Sequence, residues 1–218
     1  TSIHPDFDAR IWKYCKSILS MGHCVDLICP WKIISEKEVD GVKFHTFKRL
    51  SSRVIRILFV PFVVLIKLLE VINHVDIIHF HDLDLLPLMT FISLFKPVVY
   101  DVHENYPNEM MDREWIPKRF RKPLFYLVRW SQNYFSKVIK NLIFVTPEQL
   151  IHFQKDKLHS IVIYNYASKS LVDDYKDDYL EREDKIVFIG GGYRSNGTLL
   201  LLEIALKIRE IFPDLKFL

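Results

Sequence analysis

Two short segments concentrate the side chains able to do acid–base or ligand chemistry: His79-Phe80-His81-Asp82 and Asp101-Val102-His103-Glu104. Histidine titrates near pH ~6.5 and both donates and accepts hydrogen bonds, so a His beside a carboxylate suits proton transfer or the recognition of hydroxyls. The same pairs are potential metal ligands. His79 and His81 share one face of a strand, yet no HExxH or comparable spacing accompanies them, and no metal is expected. The plainer alternative is that both pairs cap strand ends and satisfy loop backbone groups. Asp8 and Arg10 divide in the same way, into site groups or a helix-capping Asp and a surface Arg.

Each pair closes a short apolar run of β type, and ligands of α/β proteins bind at the carboxyl ends of parallel strands. The flanking pattern predicts a helix over residues 7–21 ending at Gly22, and strands over 24–29 and 42–46, the second after the turn pair Asp40-Gly41. A helix from Ser51 or Ser52 to about residue 73, a strand over 76–80, a helix over 85–94 and a strand over 97–102 follow. Pro107 is expected to break the chain. A helix after Pro117 is expected to kink at Pro123 and end near residue 138, before a strand over 142–145. Thr146-Pro147-Glu148-Gln149 reads as a helix start, and residues 160–164 as a strand. Alternation of strand and helix predicts an α/β fold, a Rossmann-like parallel sheet with helices on both faces.

Residues 173–185 are charged and aperiodic, as a linker is. Beyond them, residues 186–189 read as a strand running into Gly190-Gly191-Gly192, with a helix over 198–211. The expected partition is a first domain over 1–168, a linker over 169–185 and the first β-α-β of a second Rossmann-like domain over 186–218. A glycine-rich turn at a helix start can cradle a phosphate, although such turns also occur without a ligand.

The 218 residues are half hydrophobic, enough for a sizeable core. Cys15, Cys24 and Cys29 lack metal or redox spacing, which predicts a reduced, cytosolic chain. The opening residues are not a secretory leader. The missing initiator Met, and a last segment that reads as a strand just beginning, suggest a fragment. Net charge is +3, but no acid stands between Asp40 and Glu70 or between Glu114 and Glu148, only cations among large apolar residues. The longest uncharged run of the first stretch, residues 57–66, is too short for a span of ~20 residues. Helices lying on an anionic membrane surface are one reading; ordinary sheet-covering helices are the other. Nucleic acid is not expected, since no binding motif accompanies the basic residues.

The run from Ser2-Ile3-His4-Pro5-Asp6-Phe7-Asp8-Ala9-Arg10-Ile11 through Gly22-His23-Cys24-Val25 resembles the opening of family-4 glycosyltransferases. The likeness continues in His79-Phe80-His81-Asp82, Val99-Tyr100-Asp101-Val102-His103-Glu104-Asn105-Tyr106-Pro107, Val145-Thr146-Pro147 and Ile163-Tyr164-Asn165-Tyr166, and ends at Ile189-Gly190-Gly191 and Gly197. The resemblance implies a GT-B enzyme that is retaining, needs no metal or cofactor and uses a UDP- or GDP-sugar donor. Its first domain would bind a glycan acceptor, carried on a lipid, in the synthesis of cell-surface polysaccharide such as capsule or lipopolysaccharide. The protein would then sit in the cytoplasm, at the inner face of the plasma membrane. It assigns His103 and Glu104 catalytic roles, and Asp8, Arg10, His81, Asp82 and Asn165 positions in the cleft. Gly190, Gly191, Gly192, Arg194, Asn196 and Gly197 would hold the donor diphosphate. Asn196 stands where the family carries Arg or Lys, which leaves Arg194 to reach the phosphate. Without most of the donor domain, this stretch is expected to be inactive alone. A GT-B nucleotide-sugar epimerase and a non-catalytic sugar-binding relative are the alternatives.

Overall fold

The computed structural model describes residues 1–4, 8–31, 38–153, 158–166, 185–189 and 197–218. The chain divides into two compact units, Thr1–Asn165 and Tyr166–Leu218. In the first unit β1 (Val25–Trp31) pairs in parallel with β3 (Val42–Lys48), and β2 (Glu38–Val39) lies antiparallel to β3. Asp40 and Gly41 between β2 and β3 both have positive φ, 50° and 82°, as a two-residue hairpin turn requires. A second sheet runs β4 (Ile78–Phe80), β5 (Val98–Val102), β6 (Asn141–Phe144) and β7 (His159–Val162), all parallel and in that order.

Side chains alternate along a strand, and the alternation places the helices. Leu27, Cys29, Val42 and Phe44 pack with Ile11 and Cys15 of α1 (Ala9–Ser20). Ile28 and Phe47, which point the other way, join a larger core with Val60, Val64, Leu68 and Val71 of α2 (Arg53–Val71). That core also takes in α3 (Leu86–Ile92), the end of α5 (Lys118–Ile139) and the apolar face of β4–β6. Helix α1 therefore covers one face of the strands, and α2, α3 and α5 cover the other. This is the Rossmann-like α/β arrangement that the alternation predicts.

Several details differ from the sequence reading. The described strands of the first unit form two hydrogen-bonded sheets, and β2 is antiparallel. Pro107 does not break the chain. It lies in the first turn of α4 (Tyr106–Asp112), where the missing N–H has no helical partner to lose, and the Asn105 side chain accepts from the Asn108 N–H. Gln149 accepts from the Val145 and Thr146 N–H groups, but the segment it starts is a 3-10 helix, Pro147–His152. In the second unit β8 (Lys185–Ile186) and β9 (Lys216–Phe217) pair in parallel around α6 (Thr198–Ile211). Apart from Lys185, the expected linker lies outside the described residues.

Candidate functional site

Strand alternation also gathers the chemistry. Ile78 and Phe80 of β4, and Val98, Tyr100 and Val102 of β5, go to the large core. His79 and Asp101 therefore face α1, and His81 and His103, one residue past each strand end, continue that side. The α1 face of these two strands is polar where the opposite face is apolar.

Asp101 is the hub, with its side chain fully buried. It accepts from Arg10 Nη2 at 2.7 Å and Arg10 Nε at 3.1 Å. His81 Nδ1 lies 3.1 Å from Asp101 Oδ2, and His79 Nε2 lies 3.8 Å from the same oxygen. Arg10 reaches it because Asp8 caps α1, accepting from the Arg10 and Ile11 N–H groups, so the guanidinium rises from the first turn. Burial raises the Asp101 pKa, but the hydrogen bonds and charges of His81 and Arg10 outweigh it and hold it at about 2. An ionised carboxylate there accepts from the Nδ1–H of His81. Burial, and then the charge of His81, push His79 down to about 3, so His79 is neutral at pH 7. Tyr14 packs edge-on to His79, centroids 5.1 Å apart.

Toward solvent, His103 sits 5.5 Å from His81 and 5.3 Å from His4 between ring centroids. Burial, then His81, lower its pKa below the usual value, which leaves a neutral imidazole at pH 7. His4 Nδ1 is 3.1 Å from Asp8 Oδ2, and its Nε2 is 3.5 Å from Asp82 Oδ1. Glu104 is exposed as a residue, yet desolvation of its carboxyl and the hydrogen bond and charge of Glu109 push it up to about 7. Glu109 is itself paired with Arg113.

A cleft of about 230 Å³ opens among these groups, lined by His4, Asp8, Arg10, His81, His103, Glu104 and Asn165, with Ile11 and Val145 as apolar walls. That is smaller than the ~300–1,000 Å³ of pockets enclosing drug-sized ligands, so it takes one part of a ligand. Asn165 is held there by Lys13, whose Nζ is 2.8 Å from Asn165 Oδ1. Of the expected cleft residues, the structure brings Asp8, Arg10, His81, His103, Glu104 and Asn165 together. Asp82 lies behind the cleft, nearly fully buried, accepting from Thr1 Oγ1 at 2.6 Å and the Ser2 N–H at 2.7 Å. Gly190, Gly191, Gly192, Arg194 and Asn196 lie outside the described residues. Gly197, with φ of 77°, stands at the start of α6 in the other unit.

Sequence reasoning gave no role to His4 or Asp101. The signal for Asp101 was present, since it stands two residues before His103 and so on the same strand face. His79, His81 and Asp101 also place one ligand atom each within 4.8 Å of one another, as a divalent ion would require. The Arg10 guanidinium already occupies both oxygens of Asp101, and its charge opposes a second cation there. The group is a carboxylate hydrogen-bonded to His81, with the buried His79 ring beside it.

Comparison with curated proteins returns no match. Residues 10–166 match the family model Glycosyltransferase Family 4. The matched stretch contains Arg10, His79, His81, Asp101, His103, Glu104 and Asn165, and so runs through the whole polar face from α1 to the end of β7. On that match the chain belongs to Glycosyltransferase Family 4 and carries a glycosyltransferase-type domain.

Proposed function

We propose that the full-length protein transfers a sugar from a UDP- or GDP-sugar to a lipid-linked glycan acceptor during synthesis of cell-surface polysaccharide, on the cytoplasmic side of the membrane. The observation that carries this reading is His103, a neutral imidazole in a cleft at the strand ends of a Family 4 domain. A neutral imidazole both donates and accepts, as recognition of sugar hydroxyls requires. His81, with Nδ1 committed to Asp101, keeps Nε2 for a ligand. Glu104, raised to about 7, carries its proton below that pH and adds a carboxyl donor at the rim. Asp8 and Asn165 supply further oxygen acceptors.

Transfer with retention needs no further base in this scheme. The acceptor oxygen bonds to the anomeric carbon on the face the diphosphate leaves, the bond from that carbon to the phosphate oxygen breaks, and the acceptor proton passes to the departing phosphate. Backbone N–H groups of the glycine turn and the Arg194 cation would hold the developing charge. The reading uses no metal and no cofactor. It is tested by screening UDP- and GDP-sugars for transfer to a membrane extract with the full-length protein and its His103→Ala variant. Transfer that falls at least ~100-fold in the variant supports it, the size expected for loss of a positioned acid–base or hydrogen-bonding group. Failure of the folded protein to transfer from any donor, or full activity in the variant, sinks it.

A further inference from the structure

Outside the cleft, the outer side of the α2–α3–α5 layer is the least explained part of the molecule. A helix on a globular domain normally turns polar residues to solvent. Helix α2 instead exposes Phe59, Phe62, Ile66 and Leu69, spaced at three to four residues along one stripe, with Leu58 beside them, each more than half open to solvent. Directly after α3 the same is true of Leu94 and Phe95, with Phe91 just before them; the Phe91 and Phe95 rings touch at 5.4 Å. Helix α5 exposes Tyr126, Trp130 and Tyr134 at four-residue spacing, the last two stacked at 5.4 Å. These aromatics line a groove of about 560 Å³ that shares no residue with the cleft. Helix α3 packs against α5, and the Arg53 guanidinium at the start of α2 lies 4.9 Å from the Trp115 ring just ahead of α5. The three helices therefore present one surface. Patches beyond a few hundred Å² mark an interaction site.

We propose that this surface docks on an anionic lipid bilayer, lying in the headgroup region without crossing it. Charge selects the occupant. Over residues 41–69 and 115–147 every ionisable side chain other than His and Tyr is a cation, including Arg53 on α2 and Lys122, Arg129 and Lys137 on α5, while Lys67 is paired with Glu70 at the end of α2. An apolar face rimmed by Lys and Arg is the combination that partitions into anionic interfaces, and Trp and Tyr are the side chains that settle at headgroup depth. A second copy of this chain would set cations against cations. A free glycan would need hydrogen-bonding partners that the apolar stripe of α2 does not offer. No described helix is long and apolar enough to span a membrane.

The start of α2 follows the carboxyl end of β3, so Arg53 and Trp115 lie toward the end of the sheet where the cleft opens. The cleft lies on the α1 side of the strands, so docking by the opposite face leaves it open to solvent. Vesicle binding needs neither donor nor acceptor and so can fail independently of transfer.

The test is cosedimentation of the full chain with vesicles of phosphatidylcholine alone and of phosphatidylcholine mixed with phosphatidylglycerol. Binding is expected to the mixed vesicles, weakened by salt, and to fall on the order of ten-fold or more in Lys122→Ala/Arg129→Ala, since each cation near such a surface contributes about five-fold. Phe62→Ser/Ile66→Ser is expected to lose binding as well. Both pairs are surface substitutions, and unchanged far-UV circular dichroism verifies the fold. Equal binding to neutral vesicles, insensitivity to both pairs, or concentration-dependent dimerisation without vesicle binding would overturn the proposal.

Discussion

Asp101 is the carboxylate to which both Arg10 and His81 bond, and its removal has two separable effects. In Asp101→Asn the Arg10 guanidinium, mostly buried, loses its counter-charge. Removing one partner of a buried pair costs roughly 3–5 kcal/mol, to be read as a lower urea midpoint with unchanged slope. An amide at position 101 can also donate to His81 Nδ1, which leaves Nε2 as the ring nitrogen that carries the proton. His103 gives a kinetic prediction. Because burial and His81 depress its pKa, the neutral form persists below pH 6.5, and the acid limb of the kcat/KM profile should fall below that value. A limb centred above pH 6.5 would show that His103 is not the titrating group. Glu104, held up near 7, gives the opposite limb: Glu104→Gln keeps a donor at the rim and should abolish any loss of rate between pH 6 and 8 (about one unit either side).

The elements that carry these residues were largely legible, because period-two and helical patterns survive wherever one face is buried. The β4 run alternates between apolar and polar over Ile78–Phe80, and β5 turns Val98, Tyr100 and Val102 to the core and Asp101 to the other face, which is the architecture of the site. What escaped were features set by backbone hydrogen bonding over few residues. Helix α4 hid behind Pro107, and the segment after Thr146 tightened to 3-10 despite a sound start signal. The partnership between Arg10 and Asp101, 91 residues apart, has no local signature and appears only when α1 is laid on β5. A second partnership across elements is testable. Gln132 of α5 donates at 3.0 Å to the Tyr100 hydroxyl of β5, and both residues are buried. Gln132→Leu leaves that hydroxyl unpaired and should cost about 1–3 kcal/mol. Adding Tyr100→Phe should recover most of the loss, whereas additive losses in the double-mutant cycle would show that the pair is not coupled.

For the molecule as a whole, buried histidine sets the response to acid. His79 has a folded pKa of about 3 against an ordinary 6.5, so the unfolded chain binds more protons between those values. Stability is fully present above pH ~6.5 and is lost as pH falls toward 3, at up to about 1.4 kcal/mol per pH unit from this one group. His79→Gln should flatten the dependence of the urea midpoint on pH across that window, and an unchanged slope would place the titration elsewhere. The two cores differ greatly in size. Among the described residues six buried side chains make up the cluster under α1, against eighteen on the opposite face. Cooperative units that bury little apolar surface open at lower free energy than the global transition. Deuterium should therefore enter the amides of α1 well before those of β5 and β6, and a ligand that bridges Arg10 to His103 would slow that entry. The helix that supplies Arg10 and Ile11 to the cleft is thus also the part of the first unit whose exchange clock a bound ligand would reset.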